Sequence, residues 1–138
     1  LMYLGEKSNK FYEQKDRTKI NQWLIAQMGY VGPMLGQHHQ FHRYNSGKDK
    51  WGEERYFKIT KTIYGDLDER LGQSKYLAGE NYSIADIATF PWIARHDWHD
   101  IGLKNYKNLT RWYKIISGRQ AVKKGYDCLN NGENIPEV

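Results

Sequence analysis

No segment of this 138-residue chain alternates apolar and polar residues with a period of two; its apolar residues recur at spacings of three and four. That pattern suits helices and leaves nothing to build a sheet from, so an all-α fold is predicted. The length fits one domain with a real core. Hydrophobic residues at 39%, with five Trp and eleven Tyr, can fill that core and exclude a disordered chain.

The spacing divides the chain as follows. Leu1, Met2 and Leu4 with Tyr3 read as the last turns of an amphipathic helix ending near Gly5 or at Ser8–Asn9. Asp16 is a candidate cap for a helix from Arg17, with Ile20, Trp23, Leu24, Gln27, Met28 and Val31 on its apolar side. A turn-rich break at 45–50 precedes a helix over about 51–71 with Tyr56, Ile59, Ile63, Leu67 and Leu71 on one face. Residues 72–82 read as loop. Ser83 is a plausible N-cap for the next helix, Asp86 its reciprocal partner, and Tyr82 with Ile87 a hydrophobic staple; Pro91 should kink that helix. Two more helices are expected, one around 109–117 with Trp112, Ile115 and Ile116 inward, the other from about Gln120. The tail from Cys128 is polar, and its end is expected to be mobile.

Composition narrows the function classes. The net charge is +5, yet the lysines are scattered, the only adjacent basic pair being Lys123–Lys124, which speaks against nucleic acid as a partner. No apolar run approaches the ~20 residues that cross a bilayer, and no signal-peptide pattern is visible. The single Cys128 cannot form an internal disulfide, which suits a reducing, cytoplasmic setting.

One stretch conflicts with its surroundings. Residues 29–44, GYVGPMLGQHHQFHRY, keep helical apolar spacing while carrying Gly29, Gly32, Pro33 and Gly36. Each glycine costs about 1 kcal/mol in a helix interior, so a tight contact is expected along one side of a bent helix; alternatively, two helices join at Gly32–Pro33.

The runs QWLIAQMGYVGPMLGQHHQFHRY, ERY at 54–56, YGDLDERL, YLAGENYSIADIATFPWI and RQAV resemble, in order and spacing, the bacterial glutathione S-transferases of the glutathione-disulfide reductase type, relatives of the yeast nitrogen regulator. The resemblance spans Leu1 to about Lys124. It implies the C-terminal helical bundle of that fold without its N-terminal thioredoxin-like domain. Residues 1–15 would be the end of the missing domain and a linker, and 16–138 the helical domain. Gln120 departs from the Pro usual in RQAV.

The resemblance also implies the chemistry. Glutathione, as a substrate, would be contacted by Gln22 and Arg55, in the family sometimes from the neighbouring subunit of a homodimer. A guanidinium fork suits a peptide carboxylate and a glutamine suits an amino-acid end. Without the resemblance, Arg55 would be read as pairing with Glu54 or Asp66. The second substrate would be a small electrophile or a disulfide, and Met28, Tyr30, Met34 and Phe41 either line its pocket or belong to the core. No catalytic group is expected in this chain, which alone should be inactive. The alternative is a non-catalytic dimerisation or protein-interaction domain.

Two constellations invite other chemistry. Ser83, Asp86 and His96 could suggest a hydrolase triad, but the three-residue spacing of Ser83 and Asp86 at a helix start favours capping. His38, His39 and His42, and His96 with His99, have spacings that could face a metal. With no HExxH and no cysteine pair, helix-surface or pocket-lining histidines are expected instead.

Overall fold

The structure is a computed structural model in which residues 1–129, 132 and 134–138 are described. Among the described residues seven α-helices follow one another: α1 (Met2–Ser8), α2 (Arg17–Ala26), α3 (Gly32–His38), α4 (Lys50–Gln73), α5 (Ile84–Ile93), α6 (Lys107–Ser117) and α7 (Gln120–Tyr126). No strand occurs among the described residues; Tyr76 and Gly79 form an isolated antiparallel bridge in the loop before α5.

Local chemistry explains most of the boundaries. α1 ends at Asn9, which adopts the left-handed conformation at φ 52° and donates its N–H back to the last turn. Asp16 precedes α2 as expected, but its side chain makes no capping bond. Asp49 caps α4 by accepting the Gly52 N–H at 3.0 Å, and the helix runs Lys50–Gln73, slightly longer than its apolar face suggested. α6 is capped from outside. Asp68 of α4 accepts the N–H groups of Asn108 and Leu109, both at 2.8 Å, a carboxylate at the positive end of a helix. Pro91 lies inside α5, two residues before its end at Ile93.

The glycine-rich stretch is one continuous helical rod, not a junction of two helices. α2 passes through a π-helical turn, Gln27–Val31, into α3, and α3 into a second π-helical turn, His39–Tyr44. The first widened turn lies directly ahead of Pro33, which lacks an N–H and crowds the preceding turn. The close contacts are with Gln27 in the turn before and with α5: a Cβ on Gly32 would lie 2.9 Å from the Gln27 side-chain nitrogen and 3.2 Å from the Trp92 ring, and one on Gly36 would touch the same ring at 3.7 Å.

α4 runs antiparallel to this rod. Phe41 stacks on Tyr56 with ring centroids 5.2 Å apart, His38 on Phe57 at 5.9 Å, and Arg70 lies over Trp23 at 5.7 Å. Between these levels Leu35, Ile63, Leu67 and Leu71 meet Trp112, Ile93 and Ile116 in the main core. Tyr12, Ile20, Ala78, Ile84 and Ala85 form a smaller cluster where α2 meets the start of α5. Met28 departs from the apolar side assigned to it and is 67% exposed. Of the tail, residues 130, 131 and 133 lie outside the described residues. Its end folds back, with Tyr113 donating its hydroxyl to the Pro136 carbonyl at 2.7 Å and Ile135 packed on the core, against the expected mobility.

Candidate functional site

Arg55 lies in the second turn of α4, exposed, with its guanidinium over the Trp51 ring at 5.4 Å. Among the described residues it pairs with neither Glu54 nor Asp66; Glu54 is 4.0 Å from Lys50 instead. The fork is held by an aromatic face and its donors stay available to a ligand. Gln22 lies on α2 and is also exposed, on the same side as Ile25 and Gly29 by helical spacing.

The fold does not bring these two residues together. Because α4 is antiparallel to the rod, Arg55 stands level with residues 38–41 and Gln22 level with the end of α4 near Arg70. At 1.5 Å per helical residue their levels differ by on the order of 25 Å.

Met28, Tyr30, Met34 and Phe41 do not share one environment. Met28 and Tyr30 are exposed, Met34 packs against the core, and Phe41 fills the space over Gly52, where a Cβ would lie 2.5 Å from its ring. An apolar groove of about 580 Å³ lies elsewhere, between α5 and α7. Its walls include Ile87, Phe90 and Pro91 of α5, Val122 of α7, and Tyr82 and Phe11. Arg95 and Arg119 also border it, Arg119 lying over the Tyr82 ring at 4.1 Å.

Ser83 and Asp86 form the expected capping pair and no triad. Asp86 accepts the Ser83 N–H at 3.0 Å and the Ser83 hydroxyl at 3.1 Å, and Ser83 Oγ accepts the Ala85 N–H at 3.3 Å. Leu77 N–H at 3.0 Å and Trp112 Nε1–H at 2.8 Å donate to the other carboxylate oxygen. His96 takes no part; its ring lies edge-on to Tyr113.

The histidines are where the sequence reading fails. His38 and His99 are fully buried and His39 and His96 nearly so, not exposed on helix surfaces and not lining the groove. His39 Nε2 and His99 Nε2 lie 2.8 Å apart, and His99 Nδ1 shares a 2.7 Å hydrogen bond with the Tyr64 hydroxyl. Burial lowers all four: His38 to about 4, His99 to about 2, and His39 and His96 below the ordinary value. No group of three or more His, Cys, Asp or Glu among the described residues is placed to hold a metal ion.

The profile of the family described as "Glutathione S-transferase, C-terminal domain" matches residues 33–120. Over 124 residues the chain is 41% identical to the disulfide-bond oxidoreductase YfcG of Escherichia coli K12, covering 88% of this chain and 58% of that protein. Protein URE2 of Kluyveromyces lactis is 28% identical over 142 residues, covering 79% of this chain and 36% of that protein. A glutathione transferase of Burkholderia graminis, solved with two glutathione molecules bound per subunit, superposes with a TM-score of 0.88 at 34% identity, over 96% of this chain and 59% of that one. The chain thus spans about half the length of the curated relatives it matches.

Proposed function

Since this chain belongs to the glutathione S-transferase family through its C-terminal domain, we propose that it is the helical part of a glutathione-dependent thiol transferase or disulfide reductase. Arg55 and Gln22 would hold glutathione, and the groove between α5 and α7 would contribute to the pocket for a small electrophile or disulfide. Residues 1–15 are assigned to the end of a thioredoxin-like half and its linker, and that half would activate the sulfur. The observation that carries this reading is the state of Arg55: exposed, aligned by Trp51 and free of carboxylate partners among the described residues. The relatives named for disulfide-bond oxidoreduction and solved with glutathione support the same chemistry.

The separation of the two contacts argues for a homodimer. A tripeptide stretches to roughly 10 Å, less than half the distance between the levels of Gln22 and Arg55, so one glutathione meets both only if a second copy supplies one of them. Gln22 shares its face with exposed Ile25, and Arg55 shares its face with exposed Trp51, which gives such a pairing apolar surface to bury. The lone, exposed Cys128 thiol supports a reducing, cytoplasmic setting.

Calorimetric titration of glutathione into the full-length natural protein tests the assignment. Arg55→Ala should weaken binding by about ten- to a hundredfold, the loss of one charged hydrogen bond; unchanged affinity rejects Arg55 as a contact. Mixing Gln22→Ala subunits with Arg55→Ala subunits should restore one intact site per mixed dimer if the contacts come from two chains, and none if they come from one. If no variant and no wild-type protein binds glutathione, the exposed apolar face around Ile25 and Met28 favours the non-catalytic dimerisation domain instead.

A further inference from the structure

Three segments meet at one end of the molecule through histidines. The rod brings His38, His39 and His42; α4 brings Phe57, Lys61 and Tyr64; the connection after α5 brings Arg95, His96, Asp97, Trp98, His99 and Asp100. We propose that this cluster is an acid-sensitive latch: its neutral imidazoles pin the last turns of the rod and the first half of α4 to the connection after α5, and their protonation releases that end of the molecule. The release itself is independent of glutathione; only its bearing on the ligand rests on the reading of Arg55.

The geometry accepts neutral rings and rejects charged ones. The His39 and His99 rings are nearly parallel, 9° apart with centroids at 4.8 Å, and face each other through their Nε2 atoms. One shared proton makes a hydrogen bond there; a second sets two N–H groups against each other. Through Tyr64 the same chain of bonds ties α4 to the connection and the rod. His38 stacks on His42 at 4.7 Å and on Phe57 at 5.9 Å, rings that also lie 6.0 Å from each other, and it meets the His99 ring edge-on. Neither of its ring nitrogens reaches a hydrogen-bond partner, although the His99 backbone lies near enough to oppose its pKa drop slightly. A proton on His38 would therefore bury a charge that makes no well-formed hydrogen bond, and burial outweighs the pull of the His99 backbone and of Asp100.

The surrounding charges sharpen this preference. Arg43 and Arg95 both lie over the Trp98 ring, at 4.1 and 4.3 Å, and disfavour a charge on His39; Lys61 lies over Phe57 at 4.5 Å. Asp97 favours a charge on His39 and Asp100 one on His38, and Asp100 is 3.8 Å from His42 Nε2. Of the tyrosines nearby, Tyr64 stays protonated in the relevant range because burial raises it, and Tyr106 packs edge-on against it.

Histidines held below their ordinary pKa stabilise the latched state fully above about pH 6.5 and lose that contribution as pH falls toward their latched values. A histidine at about 4 when latched, as His38 is, and about 6.5 when released shifts the balance toward release by about twentyfold between pH 7 and pH 5. What moves is defined by Phe41. Its ring covers Gly52 and stacks on Tyr56, so freeing the rod's end loosens the turn that carries Arg55.

Hydrogen–deuterium exchange of the full chain without glutathione, corrected for the intrinsic pH dependence, tests the latch. Protection across 38–57 should fall by about twentyfold or more from pH 7 to pH 5 while 84–93 and 109–117, around Asp86, keep theirs. His38→Phe, which fills the same apolar slot, should blunt the fall. If that variant does not fold, His99→Gln keeps two hydrogen-bonding ends without a titrating ring and should do the same. Loss of protection in all helices together, no loss by pH 5, or an unchanged fall in the folding-competent variant overturns the proposal. A failed Arg55→Ala titration leaves these outcomes untouched.

Discussion

Asp86 receives four hydrogen bonds from three parts of the chain: Leu77 in the loop, Ser83 at the start of α5, and Trp112 in α6. Only the part of this network within four residues is legible in the sequence, because capping is a local pattern; the Leu77 and Trp112 donors come from 9 and 26 positions away. Asp86→Ala would strand buried donors on each side, and each unpaired buried group costs about 1–3 kcal/mol. Urea unfolding should show a loss on the order of 3–5 kcal/mol; a loss under 1 kcal/mol would mean that water replaces the carboxylate. Burial raises the Asp86 carboxyl against the pull of its donors, so falling pH relieves its desolvation. Acid lability belongs to the histidines. Their burial is illegible in the sequence for the same reason as the Trp112 bond: the rings of His38, His39 and His99 are covered by side chains of Phe57, Tyr64, Trp92 and Trp98 from distant segments. Gln22 and Arg55 show the opposite limit, since nothing in their local spacing marks them and only the family resemblance singles them out.

Helical spacing places the long helices well, yet it cannot decide whether a Gly-Pro step joins two helices or sits within one. The answer lies in what each glycine faces, which for Gly32 is the Gln27 side chain one turn back together with Trp92 of α5. A Cβ on Gly32 would lie 2.9 Å from the Gln27 amide nitrogen, 3.2 Å from the Gln27 carbonyl and 3.2 Å from the Trp92 ring, while one on Gly29 would meet nothing within 4 Å. Gly32→Ala gains helix propensity but must displace the buried Gln27 side chain or Trp92, so a net loss of about 1–2 kcal/mol is expected. Gly29→Ala should gain about 0.5–1 kcal/mol in the monomer, since only backbone entropy changes. Parallel urea titrations of the two variants check the contrast, and equal effects would show that the crowding by Gln27 and Trp92 does not set the need for glycine at position 32. The same logic covers the boundaries. Asp49, in a stretch that reads only as turn-rich, caps α4, and α6 begins where Asp68 of another helix satisfies its first N–H groups.

At the scale of the whole molecule the apolar surface is unevenly spent. The helical bundle closes its own core, yet Ile25 and Met28 stand 69% and 67% exposed on the rod, and Leu1 just before α1 and Met2, Tyr3 and Leu4 on it are exposed. α1 is held in place by Tyr12, which packs against Gly5, and by Arg17, 3.4 Å from Glu6, so its apolar side chains are presented by an anchored helix. Side chains this exposed add little to the stability of a single chain, and their value lies in what covers them. Replacing both Ile25 and Met28 with Glu should therefore leave the melting temperature of the monomer within a few degrees, about what a surface change of under 1 kcal/mol produces. Sedimentation equilibrium should show the opposite sensitivity. The wild-type protein should sediment as a dimer of 16.4 kDa chains, and the double variant should need at least a hundredfold higher concentration to associate, because four carboxylates would be buried in a two-fold interface without partners. Gly29 provides an internal control on that face. If the second copy packs over it, Gly29→Ala stabilises the dissociated chain and weakens the dimer, two opposite signs from one methyl group. An unchanged mass for the double variant, or a Gly29→Ala dimer as tight as wild type, would place the partner on a different surface and remove the geometric route by which Gln22 of one chain meets Arg55 of the other.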